Sequence, residues 1–505
     1  MKNSNIFKIG LLISAILFGR LAAFSKPPVN SQEEKAAKPN ILLILGDDLT
    51  FRDIEPYGSN QVKTPNIARL ANEGICLDNM FTSTAMCVPT RQQLYTGMYP
   101  VRNGGYPNHS QVYPQSKSIP HHLQALDYNT ALIGKRHINP ESSFPFQYLG
   151  GRDHDGGQGQ DINLKLAEKF ITNSKDKPYF LVVTSNQPHS PFNRGNAAAY
   201  PPEKIKVPPH LVDTEATRKQ LSKYYAEVTY LDSLVGVCLD MVEKSGQKEN
   251  TIVIFTSEQG SSFPFGKWTL YDTGLKTAFI ARWPGKIKAG SRANALTQYV
   301  DVVPTLIDLA GGKPNNFKPG VPDANGNTGF DGQSFKSILL GNSDKLRQYV
   351  FGVHTTRGII KGSESYPIRS ARSDKYLYIH NLNPNATFEN VEANSPAFQS
   401  WFKTGKKEDA ERAQFYLKRP KEELYDVEKD PYQLVNLAGK PELKKVQVDL
   451  KQQMAAWMKQ QGDLGVATEI LALERQPKHD NNENKQINLN KQGSQKKGKK
   501  KAAKH

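Results

Sequence analysis

Residues 38–48 read Lys-Pro-Asn-Ile-Leu-Leu-Ile-Leu-Gly-Asp-Asp. The apolar residues 41–45 form an unbroken run of strand length, which predicts a β-strand buried on both faces of a sheet. Asp47 and Asp48 follow that strand at once. Adjacent carboxylates at the end of a buried strand cost free energy unless a cation lies beside them. Taken alone, the stretch fits either a cation site or a helix cap followed by a solvated acid.

Three further apolar runs have strand length and lie among helical patterns such as 223–244. These runs are residues 130–133, 179–184 and 251–256. Strands that alternate with helices predict an α/β fold with a large, mostly parallel sheet flanked by helices. In such sheets, binding sites form at the carboxyl ends of the strands.

A polar cluster follows each of the four predicted strands. The clusters are Asp47-Asp48, Lys135-Arg136-His137, Pro188-His189-Ser190-Pro191 and Glu258-Gln259-Gly260. Because parallel strands end at the same edge of their sheet, we expect these side chains to meet there. Carboxylate and amide oxygens suit a hard metal ion, and lysine and histidine suit an anion. The sequence therefore predicts a combined metal and anion site.

A second polar stretch, Cys87-Val88-Pro89-Thr90-Arg91, precedes residues 92–97. Cys87 and Arg91 are four positions apart, which is about one turn if a helix begins there. Pro89 suits the first turn of a helix, where backbone N–H groups favour anions. The stretch predicts a thiol and a fixed cation on one helix face. The alternative is a small packing cysteine at an ordinary helix start.

The cysteine count excludes a disulfide scaffold, because the chain of 505 residues has only three cysteines. Cys76 and Cys238 are expected to be buried packing residues, although the sequence leaves a bridge between them open. The net charge is +17, and residues 478–505 carry nine lysines against two acids, a net of +7. That segment has no periodic apolar residues.

The composition predicts a signal segment at the start of the chain and a basic tail at its end. Residues 1–25 have the architecture of a secretory signal, with two lysines ahead of a short apolar run, so we expect a secreted or periplasmic protein. The run is too short for a stable membrane anchor. Residues 476–505 are predicted to be a disordered basic tail. The charge of the tail suits a polyanionic glycan, a cell surface or nucleic acid, and the alternative is solvated charge without a partner. For the protein as a whole we expect no nucleic-acid partner.

The chain length predicts two domains. We expect a larger domain over residues 38–345 and a smaller domain over 346–465. In the smaller one, residues 376–380 alternate in a way typical of an antiparallel sheet, and an amphipathic helix follows from about residue 443 to 458. The oligomeric state is not encoded in any of these patterns.

Taken together, these motifs resemble the sulfatase family, the formylglycine-dependent sulfate ester hydrolases of the alkaline-phosphatase-like superfamily. The resemblance spans roughly residues 38–460 and implies the fold of that superfamily. The matching segments, in the family's order, are 39–48, 87–97, 134–137, 188–189, 256–260, 266–271, 282–285, 423–426, 430–431 and 436–437.

The resemblance implies a role for each polar residue. Cys87 would be oxidised by a formylglycine-generating maturation enzyme to formylglycine (3-oxoalanine), whose hydrate attacks the sulfur atom. One calcium ion would be held by Asp47, Asp48, Glu258, Gln259 and the group derived from Cys87. The other implied roles are Arg91 orienting that group and the sulfate, Lys135 and Lys267 binding sulfate oxygens, His189 protonating the leaving alcohol, and His137 assisting sulfate release.

Two positions depart from the family's pattern. Glu258-Gln259 stands where Asp-Asn or Asp-His is usual, so each side chain is one methylene longer and either the backbone position or the metal geometry must adjust. Arg136 stands where tryptophan is common.

The implied substrate is a sulfated carbohydrate. The chain looks most like the branch that contains N-sulfoglucosamine sulfohydrolase and bacterial polysaccharide sulfatases. The substrate would be an algal polysaccharide such as ulvan or carrageenan, or a glycosaminoglycan, and the choice between O-sulfate and N-sulfate stays open. His354 and Arg357 are candidate sugar contacts, with a structural strand end as the alternative. The sequence also leaves two alternatives to a sulfatase. One is a phosphoryl-transfer enzyme of the same superfamily, which would bind two transition-metal ions. The other is an inactive protein that binds sulfated glycans.

Overall fold

The computed structural model describes residues 38–152 and 162–476. The predicted signal segment 1–25 and the predicted tail beyond residue 476 lie outside the described residues. The strands are β1 (Asn40–Gly46), β2 (Ile75–Leu77), β3 (Met80–Phe81), β4 (Asn129–Gly134), β5 (Gln147–Gly150), β6 (Tyr179–Thr184), β7 (Thr251–Ser257), β8 (Lys276–Thr277), β9 (Phe279–Arg282), β10 (Ser291–Ala293), β11 (Thr297–Gln298), β12 (Val350–His354), β13 (Ile368–Arg372), β14 (Tyr376–Asn381) and β15 (Glu422–Asp426).

The helices connect and cover these strands. They are α1 (Pro65–Asn72), α2 (Cys87–Thr96), α3 (Pro100–Asn103), α4 (Ile119–Gln124), α5 (Leu164–Asn173), α6 (Glu215–Lys244), α7 (Asp272–Leu275), α8 (Val302–Leu309), α9 (Lys336–Leu339), α10 (Pro396–Trp401), α11 (Lys407–Leu417), α12 (Lys444–Gln461) and α13 (Val466–Ile470).

The large sheet has eight strands in the order β10-β2-β9-β7-β1-β6-β4-β5. Strand β1 lies near its centre and pairs in parallel with both β6 and β7. Strand β4 extends the parallel part beside β6, whereas β9 runs antiparallel to β7. The predicted α/β fold with a mostly parallel sheet is therefore confirmed.

The apolar run of β1 is buried on both faces, as its composition predicts. Ile41, Leu43 and Leu45 face one hydrophobic core, and Leu42 and Ile44 face the other, all at most 1% exposed. This alternation follows from the period of two along a strand. Helix α6 contributes to the core on one side, and helix α8 contributes to the core on the other.

The strand register brings the four polar clusters to one edge. Gly46, the last residue of β1, lies opposite Ser257 at the end of β7. Thr184, the last residue of β6, lies opposite Leu45 of β1 and Gly134 of β4. The strands β7, β1, β6 and β4 thus end at the same level, side by side. The segments that follow them emerge next to one another.

A separate sheet of four antiparallel strands, in the order β12-β13-β14-β15, occupies the later part of the chain. Helix α12 packs on it through Leu450 and Met454, which contact a cluster that includes Ala371, Tyr378 and Leu424. The antiparallel sheet predicted for residues 346–465 is confirmed. The division into two domains near residue 345 stays a prediction.

The three cysteines are all free and buried, so the bridge between Cys76 and Cys238 that the sequence leaves open is not formed. Among the described residues, no helix combines the length and the apolar character needed to cross a bilayer.

Candidate active site

Helix α2 places Cys87 and Arg91 in the interior, and all ten of its residues are buried. Cys87 is its first residue, as the position of Pro89 predicts. The helix ends at Gly97, which has φ +67° and donates its N–H to the Gln93 carbonyl. A Cβ atom there would lie 2.9 Å from the Phe330 ring, so both the conformation and the close packing favour glycine.

The Cys87 thiol faces cationic and polar groups from several elements. The Lys267 Nζ atom lies 3.1 Å from Sγ, and the Gln259 Nε2 atom lies 3.5 Å from it. Burial alone raises the pKa of a thiol. Here the charges of Lys135 and Lys267, together with hydrogen bonds from two histidines, outweigh burial and hold the pKa of Cys87 well below its ordinary value.

Three carboxylates surround the same point. Ligand atoms of Asp47, Asp48, Glu258 and Cys87 all lie within 4.8 Å of one another, and all four residues are buried. Gln259 Nε2 donates to Asp48 Oδ1 at 2.7 Å and to Glu258 Oε1 at 3.0 Å. Its Oε1 atom is buried without a hydrogen bond from any described residue. The arrangement is a compact group of oxygen atoms in the protein interior.

Each of these carboxylates has a buried cationic partner. The ion pairs are Lys135–Asp47 at 2.5 Å, Lys267–Asp48 at 2.7 Å and Arg91–Glu258 at 2.6 Å. Burial disfavours a charged lysine, but the negative charges of Asp47, Cys87 and Glu258 together outweigh burial and raise the pKa of Lys135. Burial raises the pKa of Glu258 well above its usual value in spite of Arg91. Pairing therefore stabilises the charged lysine in this interior, whereas Arg91 offsets the burial of Glu258 only in part.

Two histidines complete the cluster. The ring Nδ1 of His189 lies 2.5 Å from the Ser190 carbonyl oxygen, so Nδ1 carries a proton and Nε2 faces Asp48 Oδ2 at 3.7 Å. Burial and Lys267 lower the pKa of His189, but the charges of Asp48 and Asp47 raise it above its ordinary value on balance. His137 is 7% exposed, has φ +51°, and its side chain hydrogen-bonds the Cys87 thiol.

Sequence reasoning missed three residues of this neighbourhood. Ser262 donates to Asp48 Oδ2 at 2.5 Å, and Thr184 accepts a hydrogen bond from Arg91 Nη1. The ring of His109 lies 5.4 Å from that of His137, centroid to centroid. Because Thr184 ends a predicted strand, the rule for parallel sheets could have placed it at the site. His109 comes from a loop with no periodic pattern, so nothing in the sequence places it here.

The two predicted sugar contacts lie elsewhere. His354, the last residue of β12, is completely buried with its ring 5.8 Å from that of Phe388, and burial, with Arg419 nearby, lowers its pKa to about 3. Arg357 donates to the backbone carbonyls of Glu364 and Ile470. Within the described residues, neither shows a hydrogen bond or ion pair to the charge cluster. Their role in sugar binding stays a prediction.

The chain is similar in sequence to known proteins. A family model described as Sulfatase matches residues 39–312, and one described as N-sulphoglucosamine sulphohydrolase, C-terminal, matches residues 260–394. An ulvan-active sulfatase of Formosa agariphila is 34% identical over 436 residues, which is 85% of this chain and 81% of that protein. The N-sulphoglucosamine sulphohydrolase of Homo sapiens is 28% identical over 498 residues, which is 88% of this chain and 96% of that one.

A solved structure, described as a complex with its substrate D-glucosamine-2-N,6-O-disulfate, matches with a TM-score of 0.61 and 21% identity. The match covers 85% of this chain and 99% of the other. At that level of identity the similarity shows a common fold.

The lowered pKa of Cys87 gives a prediction for chains in which this residue is still cysteine. Because Lys135, Lys267 and two histidines lower the pKa of Cys87, we expect this thiol to ionise at a lower pH than an ordinary thiol. Burial raises the pKa of Cys76 to about 11 and that of Cys238 to about 12, so these two thiols ionise later. The ultraviolet thiolate absorbance of metal-free wild-type protein minus that of Cys87→Ala should therefore show one thiol that ionises well below the pH at which an ordinary thiol does. A thiol that ionises only near pH 9 would contradict this.

Proposed function

The chain belongs to the sulfatase family, whose members hydrolyse sulfuric esters, and we propose that it removes sulfate from a sulfated polysaccharide or oligosaccharide. The observation that carries the proposal is the buried start of α2, where the Cys87 thiol meets three carboxylates and two lysines. Relatives named for ulvan and for N-sulphoglucosamine support an algal polysaccharide or a glycosaminoglycan as the substrate.

We propose that the oxygen cluster holds one calcium ion. Hard oxygen donors from carboxylates and an amide are the ligands that calcium prefers, and the cluster contains Asp47, Asp48 and Glu258. The Oε1 atom of Gln259 is buried without a hydrogen bond, so turning the amide over would point this oxygen at the same place. The ion, when bound, supplies positive charge opposite the sulfate oxygens.

We further propose that Cys87 is the precursor of formylglycine, produced by a maturation enzyme. The hydrated aldehyde supplies the oxygen nucleophile. The chain's own contribution is the position of this residue at the N-terminal end of a fully buried helix, where a flexible side chain has little freedom. Arg91 lies one helical turn after Cys87 and donates a hydrogen bond to the Lys135 carbonyl at 3.1 Å. This bond fixes the position of its guanidinium group.

The buried lysines are proposed to stabilise the negative charge that develops during sulfate transfer. Attack on a sulfate monoester spreads charge over the equatorial oxygens and the leaving oxygen. Lys135 and Lys267 form ion pairs with the buried carboxylates of Asp47 and Asp48, so their positive charges are in place before the substrate binds. Removing one preorganised donor of this kind typically costs about 100- to 1000-fold in rate.

His189 and His137 are proposed to transfer protons during the reaction. Because Nδ1 of His189 donates to the Ser190 carbonyl, a second proton can reside only on Nε2, which faces the cluster. The raised pKa of His189 favours that protonated state and so supports a general acid that protonates the leaving alcohol. His137, next to the Cys87 thiol, is assigned to the later release of sulfate.

We propose export to a periplasm or the exterior, on the strength of the signal-like residues 1–25. The phosphoryl-transfer alternative needs two metal ions, whereas the described residues contain one group able to hold a metal. The inactive-binder alternative does not account for a complete set of nucleophile, lysines and histidines around one point.

Replacing the nucleophile tests the mechanism. Cys87→Ala should abolish sulfate release from every ester in a panel of ulvan, carrageenan, fucoidan and heparan fragments, because no aldehyde can form. Cys76→Ala is the matched control and should retain release, since Cys76 packs in the core. Mass spectrometry of the active protein should find the Cys87 peptide lighter by the difference between CH2SH and CHO. Undiminished turnover by Cys87→Ala would overturn the mechanism.

Replacing the general acid gives a second prediction. His189→Ala should slow sulfate release from sugars about 100- to 10,000-fold, the usual contribution of a positioned acid, and should slow 4-nitrophenyl sulfate less. The reason is that nitrophenolate departs without a proton whereas a sugar alkoxide does not. His380→Ala on β14 serves as the control. Equal losses on both kinds of ester would exclude His189 as the acid.

A further inference from the structure

The loop that carries His109 is tied to two elements of the active site. Gln92 of helix α2 donates its side-chain amide to the Ser110 carbonyl at 2.9 Å. Val112 donates its backbone N–H to the carbonyl of Asn139, in the segment after β4, at 2.9 Å. These two hydrogen bonds attach the loop directly to the segments that carry the active-site side chains.

The later part of the chain braces the same loop. Arg475 donates its Nη2 to the Gln111 carbonyl at 2.9 Å. Gln476 donates its side-chain amide to the Asn108 carbonyl at 2.8 Å. Hydrogen bonds from three parts of the chain therefore fix the backbone on both sides of His109.

His109 is the point at which this braced loop meets solvent. Residues 101–108 and Ser110 are buried, whereas His109 is half-buried. Its φ of +57° is left-handed, as is the φ of +51° at His137. Such a conformation costs free energy in a residue other than glycine, and it clusters at functional sites where the surrounding structure maintains it. The fold thus holds the His109 imidazole in a fixed place.

The exposed fractions show which side of the charge cluster faces solvent. Asp48 is completely buried and Cys87 is 3% exposed, whereas His137 is 7% exposed and the His189 side chain is 27% exposed. The ring of His109 lies 5.4 Å from that of His137, centroid to centroid. A sulfate group that enters the buried cluster from the side of the histidines leaves its sugar beside them. His109 lies on that side.

We propose that His109 is a specificity-determining residue that hydrogen-bonds a hydroxyl group of the sugar bearing the scissile sulfate. This inference rests on the proposed sulfatase function. A neutral imidazole has one donor and one acceptor nitrogen, and a sugar hydroxyl can pair with either of them. An ester without hydroxyl groups cannot make this contact.

Kinetics on two kinds of ester test the proposal. The sugar ester is the one that wild type cleaves among ulvan oligosaccharides and N-sulfoglucosamine, and the aryl ester is 4-nitrophenyl sulfate, which has no hydroxyl group. In His109→Gly, the ratio of kcat/KM for the sugar ester to kcat/KM for the aryl ester should fall about three- to tenfold, as expected when one hydrogen bond is lost. An unchanged ratio would overturn the proposal.

Glycine is chosen because it adopts the left-handed conformation without strain. The ratio compares two esters on the same protein, so a smaller folded fraction does not alter it. Asp127→Gly is the matched control and should leave the ratio unchanged: Asp127 is exposed, has φ +68° and precedes β4, whereas the site lies after that strand. His109→Asn tolerates a positive φ and keeps a donor and an acceptor, so its ratio should lie between those of wild type and His109→Gly.

A binding measurement separates this inference from the function on which it rests. Calorimetry compares Cys87→Ala with Cys87→Ala/His109→Gly, using the same ulvan oligosaccharides and N-sulfoglucosamine. The double variant should bind about three- to tenfold more weakly, and equal binding would overturn the role of His109 whether or not turnover occurs. A wild-type chain that cleaves no ester would instead contradict the proposed function alone.

Discussion

Three carboxylates and three cations share one small volume in the protein interior, and the rest of the site depends on their mutual pairing. Moving one charge out of water costs several kcal/mol in a folded protein. Lys135 and Lys267 offset that cost for Asp47 and Asp48, whereas Arg91 offsets it only in part for Glu258, whose pKa stays raised. Lys135 and Lys267 also lower the pKa of Cys87, so the groups that pair with the carboxylates also form the proposed anion-binding surface. Structural and catalytic roles therefore reside in the same side chains.

The parallel sheet makes this concentration of charge possible. Strands β7, β1, β6 and β4 are neighbours and end at one level, so short segments after each strand reach a common point. Helix α2 approaches the same point with its N-terminal end, and its complete burial allows little movement. The proposed sulfate site thus belongs to the large sheet and to helix α2.

The sequence predicts the parts of this site that depend on local patterns. Unbroken apolar runs identify β1, β4, β6 and β7, and the polar residues directly after them follow the rule for parallel sheets. Ser262 and His109 escape prediction, because they come from loops without periodicity and reach the site only through long-range packing. His354 is fully buried beside Phe388, and its role as a sugar contact stays a prediction.

We propose that the buried carboxylates form a single calcium site beside the residue derived from Cys87. A crystal structure of the mature, active protein, with the metal identified by anomalous scattering, tests this proposal. It should contain one calcium ion bound by oxygen atoms of Asp47, Asp48, Glu258 and Gln259. Two transition-metal ions, or no ion within reach of these oxygens, would contradict it.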